Sequence, residues 1–182
     1  KIRRNIWLEL NSYLTSLEQI GVVSGILFSY YKFRGNEISY DLPEDFLLPK
    51  LLENKKGNAI SIGILYLSLC KMLDIPVYAI NIPRQFILAY FSTEYDFENL
   101  QKLPDEKLSF FIDPLNGQVY SQKDVDSYFK RISVPPVPSY FVQLDNKRVI
   151  QYLLHELAKC YDSPQADYKK KDLLALAGLL DD

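Results

Sequence analysis

Residues 56–76 read KGNAISIGILYLSLCKMLDIP, and Lys71 is the only charge between Ala59 and Leu73. A segment of that length with no polar face is expected to be a helix buried on every side. Asn58 stands where an N-cap is needed, and Asp74-Ile75-Pro76 closes the run. Gly63, inside the helix, implies that another backbone packs close at that turn.

Downstream the texture changes. VYAINI at residues 77–82 and FILAYF at residues 86–91 are rich in β-branched and aromatic side chains and read as strands. A polar stretch from Ser92 to Lys107 interrupts them. Leu108 to Ile112 is a third strand, Asp113-Pro114-Leu115-Asn116-Gly117 a turn, and Gln118 to Tyr120 a short return. Ser121 then caps a helix over Gln122–Ile132.

Upstream, Ile6, Leu10, Tyr13, Leu14, Leu17 and Ile20 fall at helical spacing, predicting one helix over Asn5–Ile20 ended by Gly21. A second helix is expected over Val22–Phe33, closed by Gly35-Asn36 as a left-handed cap. A third spans Asp45–Asn54, with Pro49 near its start. Helices followed by strands predict an α+β fold.

Three prolines within Val134–Ser139 read as a linker at residues 134–139. It divides a main domain, residues 1–133, from residues 140–182. Asn146–Cys160 and Asp167–Leu180 are expected there as an antiparallel helical pair docked on the main domain.

Composition narrows the class. The chain has 182 residues, room for one ordinary domain. Its net charge of -2 gives it no overall electrostatic claim on nucleic acid or an anionic membrane. Two cysteines, Cys70 and Cys160, are too few for a disulfide framework or a zinc site, so a reducing, cytoplasmic setting is expected. No stretch reaches the ~20 apolar residues of a spanning helix. The sequence opens at Lys1 rather than Met, which reads as a processed or trimmed start.

The order of motifs resembles the SirB-like branch of the transglutaminase-like superfamily. The matching stretches are YDLPEDFLL at residues 40–48, residues 56–76, NIPRQFIL at residues 81–88 and FIDPLNG at residues 111–117. The resemblance implies a papain-like fold: N-terminal helices and a buried central helix packed on an antiparallel sheet. In that fold a Cys opens the central helix, where unpaired N–H groups and the helix dipole stabilise thiolate. A His on a neighbouring strand serves as base, and an Asp on the next orients it.

Carried over by the resemblance, the nucleophile position falls on Ala59, the His on Gln85 of Pro83-Arg84-Gln85-Phe86, and the Asp on Asp113. Alanine offers no nucleophile, and glutamine cannot accept and return a proton near neutral pH. Losing a triad nucleophile typically costs on the order of 10⁶ in turnover. The resemblance therefore implies a catalytically inactive relative that works by binding a protein or peptide, with Asn58, Gln85, Asp113 and Asn116 as candidate binding residues. No cofactor or metal is implied.

Two rivals accompany that expectation. One is a hydrolase or amidase with Ser61 as substitute nucleophile and Gln85 aiding the oxyanion; the plainer role for Ser61 is a first-turn serine bonded back to the helix. The other is a scaffold acting through the last two helices. The plainer role for Asp113 is the first residue of an Asp-Pro turn, bonding backbone N–H groups. Cys70 reads as an inert core thiol, and His155, the only histidine, as a packing or surface residue. Lys55-Lys56 and Lys169-Lys170-Lys171 read as solvated faces.

Overall fold

The computed structural model describes residues 1–94 and 105–181. Five strands form one antiparallel sheet: β3 (Val77–Ile80), β4 (Ile87–Glu94), β5 (Asp105–Ile112), β6 (Val119–Tyr120) and β7 (Gln143–Leu144), in the spatial order β6-β5-β4-β3-β7. Successive side chains of a strand point to opposite faces. On one face Ala79, Leu88, Tyr90, Phe110 and Ile112 join the larger core; on the other Ile80, Ile87, Ala89 and Phe111 join a second. Because both faces are covered, FILAYF shows no polar alternation.

The larger core is built on α4 (Ala59–Lys71), the expected central helix, which buries Ile60, Ile62, Leu65, Tyr66, Leu69 and Cys70. The second core is closed by α5 (Gln122–Ile132), which runs over the residues expected and inserts Val125 and Phe129. Both layers support an α+β fold, with the helix buried between the sheet and the N-terminal helices.

The N-terminal helices differ from expectation. The Asn5–Ile20 segment divides into α1 (Ile2–Glu9) and α2 (Ser16–Ser24), and Gly21 lies inside α2 rather than ending it. Thr15 and Glu18 form a capping box: the Glu18 amide donates to Thr15 Oγ1 and the Thr15 amide to Glu18 Oε2. Two satisfied helix-start donors outweigh the continuous apolar spacing. Beyond α2 the chain widens into a π-helical turn over Gly25–Tyr30, and Lys32, not Gly35-Asn36, takes the left-handed conformation at φ 60°.

Gly35 and Asn36 instead belong to β1 (Arg34–Asn36), paired in parallel with β2 (Lys56–Asn58). The third helix is α3 (Leu48–Asn54), with Pro49 in its first turn and a 3₁₀ turn over Pro43–Phe46 before it. The central helix ends at Lys71, two residues short of Leu73.

The polar stretch Ser92–Lys107 is in part strand, since β4 runs to Glu94 and β5 begins at Asp105; residues 95–104 lie outside the described residues. The proline-rich segment ends in a 3₁₀ turn over Pro138–Phe141 and leads into β7, which pairs with β3. Next come α6 (Asn146–Ala158) and α7 (Asp167–Gly178). Val149 and Leu157 of α6 enter the larger core, and the Tyr152 ring sits 5.4 Å from that of Phe86. Gln151 donates to the Ala177 carbonyl, tying α6 to α7. No helix among the described residues is long and apolar enough to cross a membrane.

Candidate functional site

The start of α4 is fixed by its cap. Asn58, fully buried, accepts from the amides of Ile60 (3.0 Å) and Ser61 (3.1 Å), satisfying two of the helix's orphan donors. Ser61 reciprocates by accepting from the Asn58 amide and donates its hydroxyl to the Asp45 carbonyl at 2.6 Å. Ala59 is thereby held as the first helical residue, with its side chain on the wall of a cavity.

That cavity has a volume of about 780 Å³, and Ala59, Gln85 and Asp113 all line it. Three positions far apart in sequence thus face one space. Among the described residues its wall carries neither a cysteine nor a histidine.

Gln85 arrives on the loop between β3 and β4. Arg84, just before it, holds φ at 62°, the left-handed region that suits glycine. Phe86 anchors the loop from below: a side chain at Gly63 of α4 would place its Cβ 2.5 Å from the Phe86 ring. The close neighbour at Gly63 is therefore that ring and Pro114, not the backbone expected from the sequence.

Asp113 ends β5 and opens the expected turn. Its Oδ1 accepts from the Leu115 amide at 2.8 Å, its amide donates to the Gln118 carbonyl, and its own carbonyl accepts from the Gly117 amide. A Cβ on Gly35 would collide with Leu115, and Gly117, at φ 74°, abuts Ser24 of α2. The turn is wedged between β1 and α2, so the direction of Asp113 is fixed by packing as well as by hydrogen bonds.

The fourth wall is one face of α5. Asp124, Ser127, Tyr128 and Arg131, spaced at i, i+3, i+4 and i+7, all line the cavity. The Tyr128 hydroxyl donates to the Pro83 carbonyl at 2.7 Å, locking α5 to the Arg84-Gln85 loop. Burial pushes that hydroxyl's pKa up, against the opposing pull of Arg84, Arg131 and a hydrogen bond with Gln85. Burial also raises Tyr120, helped by the Asp113 carboxylate beside it.

Three candidates named from the sequence fall elsewhere. Ser61 is buried, does not line the cavity, and has its hydroxyl committed to Asp45, which removes it as a substitute nucleophile. Asn58 is likewise off the wall and acts as the helix cap. Asn116 is exposed in the turn, where its side chain accepts from the Gln118 amide. Sequence reading missed Arg84, Tyr120, Tyr128 and Arg131. For Tyr128 and Arg131 the available signal was the i, i+3, i+4, i+7 spacing on the predicted Gln122–Ile132 helix; Arg84 and Tyr120 lie outside it.

The other reactive groups are remote. Cys70 is buried in α4, and burial pushes its thiol strongly upward. Cys160 is half-buried and shifted the same way, first by burial and then by Asp41 and Glu156. His155 is exposed on α6. In the C-terminal basic run, Lys170 and Lys171 pair with Asp162 and Asp167, both at 2.6 Å.

The family model of the transglutaminase-like superfamily matches residues 1–155. The chain belongs to that superfamily. Its similarity to Protein SirB1 of Salmonella typhimurium (strain LT2), 26% identical over 153 residues, covers 82% of this chain and 52% of that protein. UPF0162 protein YchA of Escherichia coli (strain K12) is 26% identical over 152 residues, with the same shares of 82% and 52%. These relatives place the chain in the SirB-like branch, and it spans about half the length of either. F-box only protein 21 of Homo sapiens is 29% identical over 65 residues, 36% of this chain and 10% of that protein. No solved structure matches the chain.

Within the transglutaminase-like frame, the resemblance puts the thiol position on Ala59 and the imidazole position on Gln85. The same resemblance sets a Pro-Gly-His-Phe stretch against Pro83-Arg84-Gln85-Phe86, so that its glycine falls on Arg84. The left-handed φ there gives a physical reason for a glycine at that point of the motif.

Proposed function

We propose that this transglutaminase-like cavity binds a peptide segment of a partner protein and does not turn it over. The observation that carries the reading is the convergence of Ala59, Gln85 and Asp113 on a wall that has neither thiol nor imidazole among the described residues. The Ser127 hydroxyl of the same wall donates to the Lys123 carbonyl at 2.8 Å, and the described wall carries no imidazole to activate it.

A peptide suits the lining better than a small apolar molecule. Ile38, Ile82 and Leu115 supply apolar contact, while Arg84, Arg131 and Asp113 supply charges of both signs. Tyr120 on the wall belongs to β6, one of the two edge strands of the sheet, the kind of position at which an extended chain can add main-chain hydrogen bonds. The cytoplasmic setting and the absence of catalysis belong to this same proposal.

The test pairs turnover with binding. Fluorogenic peptide, amide and ester substrates are expected to show no turnover above the blank, with wild type and Asp113→Ala alike. A displayed random peptide library should yield binders to wild type that Ala59→Trp, which projects an indole from the cavity wall, no longer retains. Hydrolysis or transfer that disappears in Asp113→Ala would refute the reading.

A further inference from the structure

We propose that the Arg84–Arg131 edge of the cavity receives a carboxylate of the bound peptide; this inference rests on the peptide-binding reading above. The two guanidinium groups come from different elements, the β3–β4 loop and the last turn of α5, and the Tyr128 hydroxyl clamps those elements together through the Pro83 carbonyl. The Arg131 guanidinium lies 5.5 Å from the centre of the Tyr128 ring, which supports its flat face and leaves the N–H edge to make hydrogen bonds.

Neither arginine has an ion-pair partner among the described residues, although three carboxylates line the same cavity. Two of those carboxylates are held by their own turns. Asp113 Oδ1 accepts from the Leu115 amide, and Asp124 Oδ2 accepts from the Ser121 amide and hydroxyl, both at 2.7 Å. The arginine donors are thus left to an incoming group. A guanidinium carries five N–H donors in a fork that matches a carboxylate with two parallel bonds.

Arg84 adds a second line of argument. Its backbone sits at φ 62°, where glycine is free of strain and arginine is not, and its side chain is exposed at the cavity. Strain of this kind gathers at binding sites, and what arginine supplies there beyond glycine is its guanidinium. The carboxylates of Glu37 and Asp113 on the other walls, and of Asp124 on the same α5 face as Arg131, add like-charge repulsion that grows with ligand charge, so the group assigned is a singly charged carboxylate rather than a doubly charged phosphate.

Four hexapeptide libraries test the inference by retention on the immobilised full chain. Three are blocked at both ends and carry a fixed central Glu, Gln or phosphoserine; the fourth carries central Gln and a free C-terminal carboxylate. Either the Glu or the free-carboxylate library should bind about tenfold tighter than blocked Gln, the size of one charge-assisted contact. Whichever arm gains identifies the carboxylate as side-chain or C-terminal.

The gain should fall to within about twofold in Arg84→Gly and in Arg131→Gln, and shrink with added salt. Arg84→Gly suits the left-handed backbone, so loss of folding does not stand in for loss of binding; circular dichroism confirms it. Equal retention of all four libraries, tightest binding of phosphoserine, or a gain that survives both arginine variants would overturn the carboxylate assignment and leave peptide binding intact. No retention of any library by wild type would overturn both.

Discussion

Restoring the missing groups measures whether Ala59 stands where a thiolate would be stabilised. In Ala59→Cys the new thiol occupies the first position of the 13-residue helix α4, immediately after its Asn58 cap. A helix N-terminus stabilises an anion by about 0.3–1 kcal/mol, up to ~2 when partly buried. At about 1.36 kcal/mol per pKa unit, that lowers a thiol from ~8.5 to between roughly 7.0 and 8.3. Adding Gln85→His places an imidazolium on the same wall, worth about one further unit, with Arg84 and Arg131 acting in the same direction and Asp113 and Glu37 against it. The double variant is therefore expected near pKa 6–7 by these approximate increments. Iodoacetamide alkylation followed by site-resolved mass spectrometry reads the titration. Cys70 and Cys160 serve as internal references, because burial shifts both upward and keeps them slow at neutral pH. A thiol in the double variant that titrates at ~8.5 or above would refute the placement of Ala59 at a helix mouth facing Gln85.

Other substitutions separate structural from binding roles. Ser61→Ala should lower stability by about 1–2 kcal/mol, through loss of the capping box and the bond to Asp45, and leave peptide retention unchanged; a loss of retention without loss of stability would contradict the buried role assigned to Ser61. Gly63→Ala drives a Cβ to 2.5 Å from the buried Phe86 ring, so overpacking of about 1–3 kcal/mol exceeds the ~1 kcal/mol gained in helix propensity; a melting temperature at or above wild type would show that Phe86 yields freely. Tyr66, fully buried, has its hydroxyl pKa raised by burial, so its contribution to stability is complete below about pH 10 and is lost as pH rises beyond it. Tyr66→Phe should flatten that alkaline decline by up to about 1.4 kcal/mol per pH unit, as read by urea unfolding at stepped pH, and an unchanged slope would count against it.

Much of the fold is legible in the sequence, for identifiable reasons. The Gln122–Ile132 helix has a serine cap before it and an apolar stripe along it, so local and tertiary signals agree. The apolar runs of β3 and β4 stand out because both faces of the sheet are covered. The N-terminal division is misread because apolar spacing continues straight through Leu10–Thr15, while the deciding signal, Thr15 paired with Glu18, lies in four residues. For Ser61, spacing near the helix start supports the plainer first-turn role, but only the approach of the Asp45 carbonyl across the fold shows where its hydroxyl is committed. The Arg84–Tyr128–Arg131 wall joins residues more than forty positions apart through one hydrogen bond to the Pro83 carbonyl, and no local pattern encodes that pairing.

Asp113 shows how fold and binding can share one residue. Its Oδ1 is committed to the Leu115 amide, and its backbone closes the turn against β1 and α2, so the geometry of the turn holds whether or not anything occupies the cavity. Among the described residues its Oδ2 has only the Tyr120 hydroxyl, at 3.5 Å, the outer limit of a hydrogen bond. One oxygen thus supports the protein, and the other keeps capacity for a donor that enters the cavity. The distinction makes Asp113→Asn more informative than Asp113→Ala. Asparagine retains an acceptor for the Leu115 amide and removes the charge, whereas alanine also strips the turn and should cost about 1–3 kcal/mol. If the second oxygen is used in binding, the asparagine variant keeps its melting temperature and loses retention of those peptides that donate to it. If its only role is the turn, asparagine behaves as wild type in both measurements.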